Sequence, residues 1–310
     1  MFIAEKGLKR YEGNPIIKPM DVENAYAVFN CGQTMYKGKT ILLLPVQRTN
    51  TPSNTIHIAE SDDGINFKIH KEPFIEESEH PIYTELDHWV MDPRVAYIPE
   101  DDMYYICRPM DSAWGTTTLL MRTKDFKSCE EVGIIALPPN RVPSLFQGKI
   151  NGKYVRVDRP NIANNHGLWL SYSDDLIHWG EYKPLLKPYT NWSYNKIGPT
   201  PPLKTDEGWL MIIHGVKATQ AGTCYRYSLG AVLMDLDDPS KIIGKMNSPI
   251  LTPNTTYEYL GHAPNTVFAC GAIADIKEDR LRVYYGAADT CVGLATGSLS
   301  EIIEMCKKGE

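Results

Sequence analysis

One pattern recurs five times along this chain of 310 residues, and it limits the folds open to it more than any other feature. Each copy has an apolar strand, a turn, a second apolar strand and, later, a third. The openings are Val28-Phe29-Asn30-Cys31-Gly32, Val90-Met91-Asp92-Pro93-Arg94-Val95, Val142-Pro143-Ser144-Leu145-Phe146, Gly198-Pro199-Thr200-Pro201-Pro202-Leu203 and Val267-Phe268-Ala269-Cys270-Gly271-Ala272. Five such sheet units arranged about an axis predict an all-β, five-bladed propeller with a central funnel. The chain reads as a single domain over 1–310. A two-sheet sandwich is the competing architecture.

The turns punctuate the copies. Lys37-Gly38-Lys39, the acidic stretch 99–102 and Asn151-Gly152 each separate two apolar runs. Asn-Gly in that place is a strong hairpin signal, since both residues tolerate positive φ. Two third strands run into similar tails, Asp62-Asp63-Gly64-Ile65-Asn66-Phe67 and Asp174-Asp175-Leu176-Ile177-His178-Trp179. An acidic turn followed by an aromatic anchor is thus a repeated blade element. Only the tail, 298–308, reads as helix, with Ser300 as the expected N-cap.

A net charge of −6 without any Lys/Arg-rich block argues against nucleic acid and anionic membranes as partners. No apolar run is long enough to span a bilayer. The first ten residues lack the apolar core of a signal peptide, and the seven cysteines form no CxxC pair. Reduced cysteines and a cytoplasmic location are expected.

No nucleophile elbow, P-loop, HExxH or GxGxxG is present, and the eight histidines show no metal-ligand spacing. The chemistry must come from strand ends. Asp92 stands on the lip of its strand, before Pro93, where an ordinary turn-forming aspartate is the competing reading. Arg48, Arg108, Arg141, Arg159, Lys196 and His214 also flank apolar strands. Singly, each reads as a solvated strand-end charge. Gathered at the axis, they would form an anion site, because arginine pairs grip phosphate bidentately. Trp89, Trp114, Tyr189 and Trp192 are candidates for sugar stacking or for blade packing, and Trp169, Trp179 and Trp209 are assigned to the core.

These motifs resemble glycoside hydrolase family 130, the β-mannoside phosphorylases and related mannosidases. The resemblance runs from Asn14-Pro15-Ile16-Ile17 to Val292-Gly293-Leu294-Ala295-Thr296. It is strongest at Met91-Asp92-Pro93-Arg94-Val95, Lys196-Ile197-Gly198 and Tyr284-Tyr285-Gly286-Ala287-Ala288-Asp289-Thr290. It implies a five-bladed propeller with Asp92 as general acid. Phosphate-binding residues fall on Arg141, Arg159, His214 and Tyr227, with Lys196 close by and Tyr225 competing with Tyr227. Asn30, Arg48, Arg94 and Asp289 fall at the substrate. The implied reaction is inverting phosphorolysis of β-1,2- or β-1,4-linked mannosides to α-mannose 1-phosphate, and its reverse. No cofactor is expected, inorganic phosphate being a co-substrate, and homo-oligomer formation stays open. The rival readings are a β-mannosidase that uses water and a non-catalytic glycan-binding propeller. Departures such as Asn140-Arg141-Val142-Pro143 and Val90-Met91-Asp92 fall near the substrate and bear on linkage and acceptor.

Overall fold

The computed structural model describes residues 7–49, 51, 53–87, 89–141, 143–161, 166–220 and 224–310; Val142, in the third opening, lies outside them. The strands form five antiparallel sheets, one for each copy of the pattern. Blade one takes Ala25–Val28, Gly32–Tyr36, Lys39–Arg48, Thr55–Ser61 and Lys68–Ile69. Blade two takes Arg94–Ile98, Met103–Ser112, Gly115–Thr123 and Glu130–Ala136. Blade three takes Ser144–Leu145, Tyr154–Asp158, Leu168–Ser173 and Gly180–Leu186. Blade four takes Lys196–Pro199, Leu203–Lys204, Trp209–Gln220, Cys224–Met234 and Ile242–Lys245. Blade five takes Val267–Ala269, Ile273–Asp275, Arg280–Ala287 and Cys291–Ser298.

The outer edge of blade five is supplied from the other end of the chain. Lys9–Arg10 pairs antiparallel with Thr296 and Ala295, which closes the ring and covers a strand edge that would otherwise be open. Arg10 fastens this strand. Its Nε and one terminal nitrogen each donate to the carboxylate of Glu258 at 2.8 Å, and the Tyr285 hydroxyl donates to the same carboxylate at 2.8 Å. Glu258 is fully buried. Glu258→Ala is therefore expected to destabilise the fold by about 3–5 kcal/mol, read as a lowered urea midpoint, with Glu258→Gln less severe.

Alternating strands bury side chains on both faces, so the core lies between blades rather than within them. Ile41, Leu43, Val95 and Ile106 join blades one and two, and Ala96, Tyr105, Leu145 and Tyr154 join two and three. Val155, Val157, Met211 and Ile213 join three and four. Ile212 and Leu233 meet Leu281 and Val283 between four and five, and Leu42, Leu44, Tyr284 and Leu294 join five and one. The acidic-aromatic tails serve this packing. Asp63 accepts from the backbone of Ile65 and Asn66, and Asp175 from Ile177 and His178, so each turn is locked by its own carboxylate. Phe67 then meets Tyr284 of blade five edge-on, with ring centroids 5.6 Å apart.

The Asn151-Gly152 turn has both residues at positive φ, as its sequence required. The C-terminal helix Leu299–Lys308 forms, but its N-cap is Ser298, whose hydroxyl accepts from Glu301. Ser300 instead bonds to Asp279, because burying Leu299 starts the helix before it. A short helix at Thr256–Tyr259 carries Glu258 and was not expected. Trp209 is core, whereas Trp169 faces outward between buried Leu168 and Leu170, and Trp179 lies partly buried against Arg156. No helix among the described residues is long and apolar enough to cross a membrane.

Candidate active site

Strand ends from all five blades meet in a funnel of about 350 Å3 lined by Asn30, Met91, Asp92, Arg141, Arg159, Asn161, His166, Lys196, Tyr227, Ala263, Thr266, Phe268 and Asp289. Three of the polar residues share an unusual backbone. Asn30, Asp92 and Asp289 have φ of 38°, 48° and 49°, the left-handed region that only short polar side chains enter without large penalty. Each sits where the chain turns at the axis, so the turn aims its side chain into the funnel.

Asn30 joins the two acids. Its amide nitrogen donates to Asp92 Oδ1 at 2.9 Å and to Asp289 Oδ1 at 3.1 Å. The strand of blade five that faces it carries Gly286, where a β-carbon would stand 2.0 Å from Asn30 Oδ1. Glycine is the residue that lets Asn30 approach. Beneath the acid, Arg94 is almost fully buried and donates to the carbonyls of Asp92 at 2.7 Å and Pro199 at 3.2 Å. Arg94, expected at the substrate, thus fixes the backbone of Asp92 from below and does not line the funnel.

The facing wall is cationic. Arg141 donates to Asp92 Oδ2 at 3.3 Å and to Asp111 Oδ2 at 3.0 Å. Arg159 is 4 % exposed, and its Nε has no hydrogen-bond partner among the described residues. Lys196 donates to the Tyr227 hydroxyl at 2.8 Å. Tyr227, not Tyr225, therefore faces the funnel; Tyr225 is exposed on the outer hairpin. His214 lies just behind the wall, its ring tilted by 35° against Phe268 at a centroid distance of 4.4 Å, and both of its ring nitrogens lack partners among the described residues.

These cations strain against burial and one another. Burial, with Arg141 and Arg94 adding repulsion, pulls Arg159 down to about 9. Burial together with Arg159 and Arg141 brings Lys196 down to about 7. Burial and the neighbouring cations hold His214 well below the ordinary histidine range, so it is neutral. Burial opposes the charge of Arg141, but the carboxylates of Asp92 and Asp111 outweigh it and raise its pKa. Burial and the nearby Asp92 push Asp289 up to about 6. Donors are thus gathered in excess of acceptors on one wall, which is the chemistry of an oxyanion site.

Two arginines noted at strand ends lie elsewhere. Arg48 is not in the funnel. It bonds to the Glu23 carbonyl at 3.3 Å, the Thr55 hydroxyl at 2.9 Å and His57 Nε2 at 3.2 Å, beside a separate cavity with Asp21, His70 and Lys71. These contacts hold it at the end of its strand, where it pairs with Ala25. Arg108 is fully buried in an ion pair with Asp87 at 2.6 Å and pins the loop ahead of Asp92. Tyr189 and Trp192 bond to the Met246 and Asn247 carbonyls as blade packing, whereas Trp89 and Trp114 are exposed. Sequence reading missed Asn161 and His166, which hydrogen-bond to each other at 3.0 Å, and also Thr266 and Phe268. Asn161 and His166 follow the second strand of blade three, the same place that yielded Arg159.

A propeller funnel that sets carboxyl groups against a cationic wall is equipped for acid-assisted chemistry on an anion, and the class of enzyme follows from its relatives. The chain belongs to glycoside hydrolase family 130: residues 6–308 match the family described as beta-1,4-mannooligosaccharide phosphorylase. It is 31% identical to the beta-1,4-mannooligosaccharide phosphorylase of Ruminococcus albus over 306 residues, covering 96% of this chain and 90% of that protein. It is 35% identical to the 1,2-beta-oligomannan phosphorylase of Thermoanaerobacter sp. over 314 residues, covering 95% and 98%. Its fold superposes on a beta-1,2-mannobiose phosphorylase from Listeria innocua, solved with beta-1,2-mannobiose, with a TM-score of 0.85 at 31% identity, covering 97% of this chain and 99% of that one.

Proposed function

We propose that the protein catalyses inverting phosphorolysis of β-1,2- or β-1,4-linked mannosides, giving α-mannose 1-phosphate and a shortened sugar, and the reverse synthesis. The observation that carries this reading is that Arg141, Arg159, Lys196 and Tyr227 line one funnel with Asp92. Phosphate held there attacks the anomeric carbon from the side opposite the leaving sugar. The carbon–oxygen bond to the leaving sugar breaks as the bond to phosphate forms, and Asp92 supplies the proton that the leaving oxygen takes up. The cations orient phosphate and balance its charge during attack.

Inverting hydrolysis fits this geometry less well. An inverting hydrolase separates two carboxyl groups by ~6.5–9.5 Å, with sugar and water between them. Here Asp92 and Asp289 share one amide nitrogen, and the Asn30 side chain fills the gap between them. Phosphate, already an anion, needs no second carboxylate as base. The unbridged state of all seven cysteines suits the reducing cytoplasm, where a sugar phosphate is of use. The test is incubation with β-1,2- and β-1,4-mannobiose with and without phosphate. Sugar phosphate that forms only when phosphate is supplied supports the proposal, and equal release of free mannose in both cases overturns it.

The state of Lys196 yields a second test. Lys196 titrates near 7 before an anion enters the funnel. A bound anion raises that value, so at about pH 8 phosphate binding should take up protons. Calorimetry in buffers of different ionisation enthalpy should show this uptake, and Lys196→Met should abolish it.

A further inference from the structure

The two cradle arginines come from separate pieces of chain, and each follows a residue of one hydrogen-bonded pair. Arg141 follows Asn140, and Arg159 follows Asp158. The Asn140 amide nitrogen donates to Asp158 Oδ1 at 2.8 Å, and its amide oxygen accepts from the backbone N–H of Arg159 at 3.1 Å. One amide side chain is thus bonded both to the carboxylate before Arg159 and to the backbone of Arg159 itself.

Asp158 is in turn held on its far side. It is 3 % exposed and its Oδ2 accepts from the Ser171 hydroxyl at 2.5 Å, while Oδ1, which takes the Asn140 amide, also lies 2.9 Å from Arg156 Nε. Arg156 donates to the Ile135 carbonyl at 2.7 Å and stacks on Trp179 at 4.1 Å. The chain of contacts runs from the blade interior to the funnel wall without a gap. Strand pairing here is carried by backbone groups, Asn140 N–H to the Thr116 carbonyl and Asn161 N–H to the Pro139 carbonyl, so the Asn140 side chain is not needed for it. A buried and a part-buried guanidinium in one wall repel, and their separation must be set by something other than each other.

We propose that Asn140 and Asp158 form a positioning clamp that fixes the spacing of Arg141 and Arg159, and so the geometry in which the funnel presents phosphate. This rests on the phosphorolysis reading. Neither clamp residue touches phosphate; both act through the arginines beside them.

The test is steady-state kinetics with both substrates varied, on the full chain. Asn140→Ala should raise KM for phosphate by roughly 10–100-fold, while KM for the mannoside stays within about twofold and the melting temperature changes little. Asn140→Asp should be worse, since it sets two carboxylates against each other. Adding Asp158→Asn to Asn140→Asp exchanges amide and carboxylate and should recover most of the phosphate KM. Asn140→Ser serves the same purpose if the alanine variant does not fold. An unchanged phosphate KM in Asn140→Ala overturns the clamp. So does a parallel rise in both KM values with no recovery in the double variant. Wild-type turnover that ignores phosphate overturns the functional reading instead, and the clamp with it.

Discussion

Asp92→Asn is expected to keep the fold and to lose roughly 10²–10⁴-fold in kcat on an unactivated mannoside, the usual range for a positioned general acid. The substitution isolates the proton. Asparagine tolerates the positive φ of 48° as aspartate does, so the turn at the axis persists. The amide oxygen can still accept from Asn30 or from Arg141, which bond to different oxygens of Asp92, so one of the two contacts is lost. What it cannot do is protonate a leaving oxygen. A mannoside with a strongly acidic leaving group, such as a dinitrophenyl mannoside, does not need that proton, and its turnover should fall far less. Kinetics on the two substrates side by side check this. An equal loss on both would mean that Asp92 binds or orients and does not act as the acid.

Arg159→Met should separate function from stability in opposite directions. The guanidinium is buried, lies close to two other arginines and is pulled down to about 9. For a base, a folded-state pKa below the unfolded value means that the charged form is disfavoured by folding. The penalty is present in full below about pH 9 and fades as pH rises towards the ordinary arginine range. Removing the charge should therefore raise the melting temperature at neutral pH in phosphate-free buffer. Phosphorolysis should fall by roughly 10²–10³-fold in kcat/KM for phosphate, the scale on which a positioned charge-stabilising donor acts. The thermal shift that phosphate produces in the wild type should shrink. A protein built for stability alone would not bury this charge. A variant with a lower melting temperature and an intact response to phosphate would contradict the assignment.

Much of this was legible in the sequence because propellers convert repetition into convergence. The five openings supplied the inner strands, and the residues in or beside them, Asn30, Asp92, Arg141 and Lys196, do meet at the axis. Residues after second strands were read less well. Arg159 and Asp289 reach the funnel, whereas Arg48 is held by the Glu23 carbonyl and Thr55, and Arg108 is consumed by Asp87. Partners supplied by other strands and loops leave no local trace in composition or period. Arg94 shows a related limit. Its place beside Asp92 was visible, but its burial beneath the acid follows from packing on Phe268 and Pro199, from two other blades. The Asn140–Asp158 pair was hidden for the same reason: eighteen residues apart in sequence, it is joined only once blades two and three stand side by side.

The central claim is a single displacement by phosphate at the anomeric carbon, and the configuration of the first-formed product tests it most directly. Proton and phosphorus NMR during the early turnover of β-mannobiose in phosphate buffer should show α-mannose 1-phosphate appearing in step with the released sugar, before any spontaneous anomeric exchange. β-Mannose 1-phosphate, or free mannose as the first product, would contradict it.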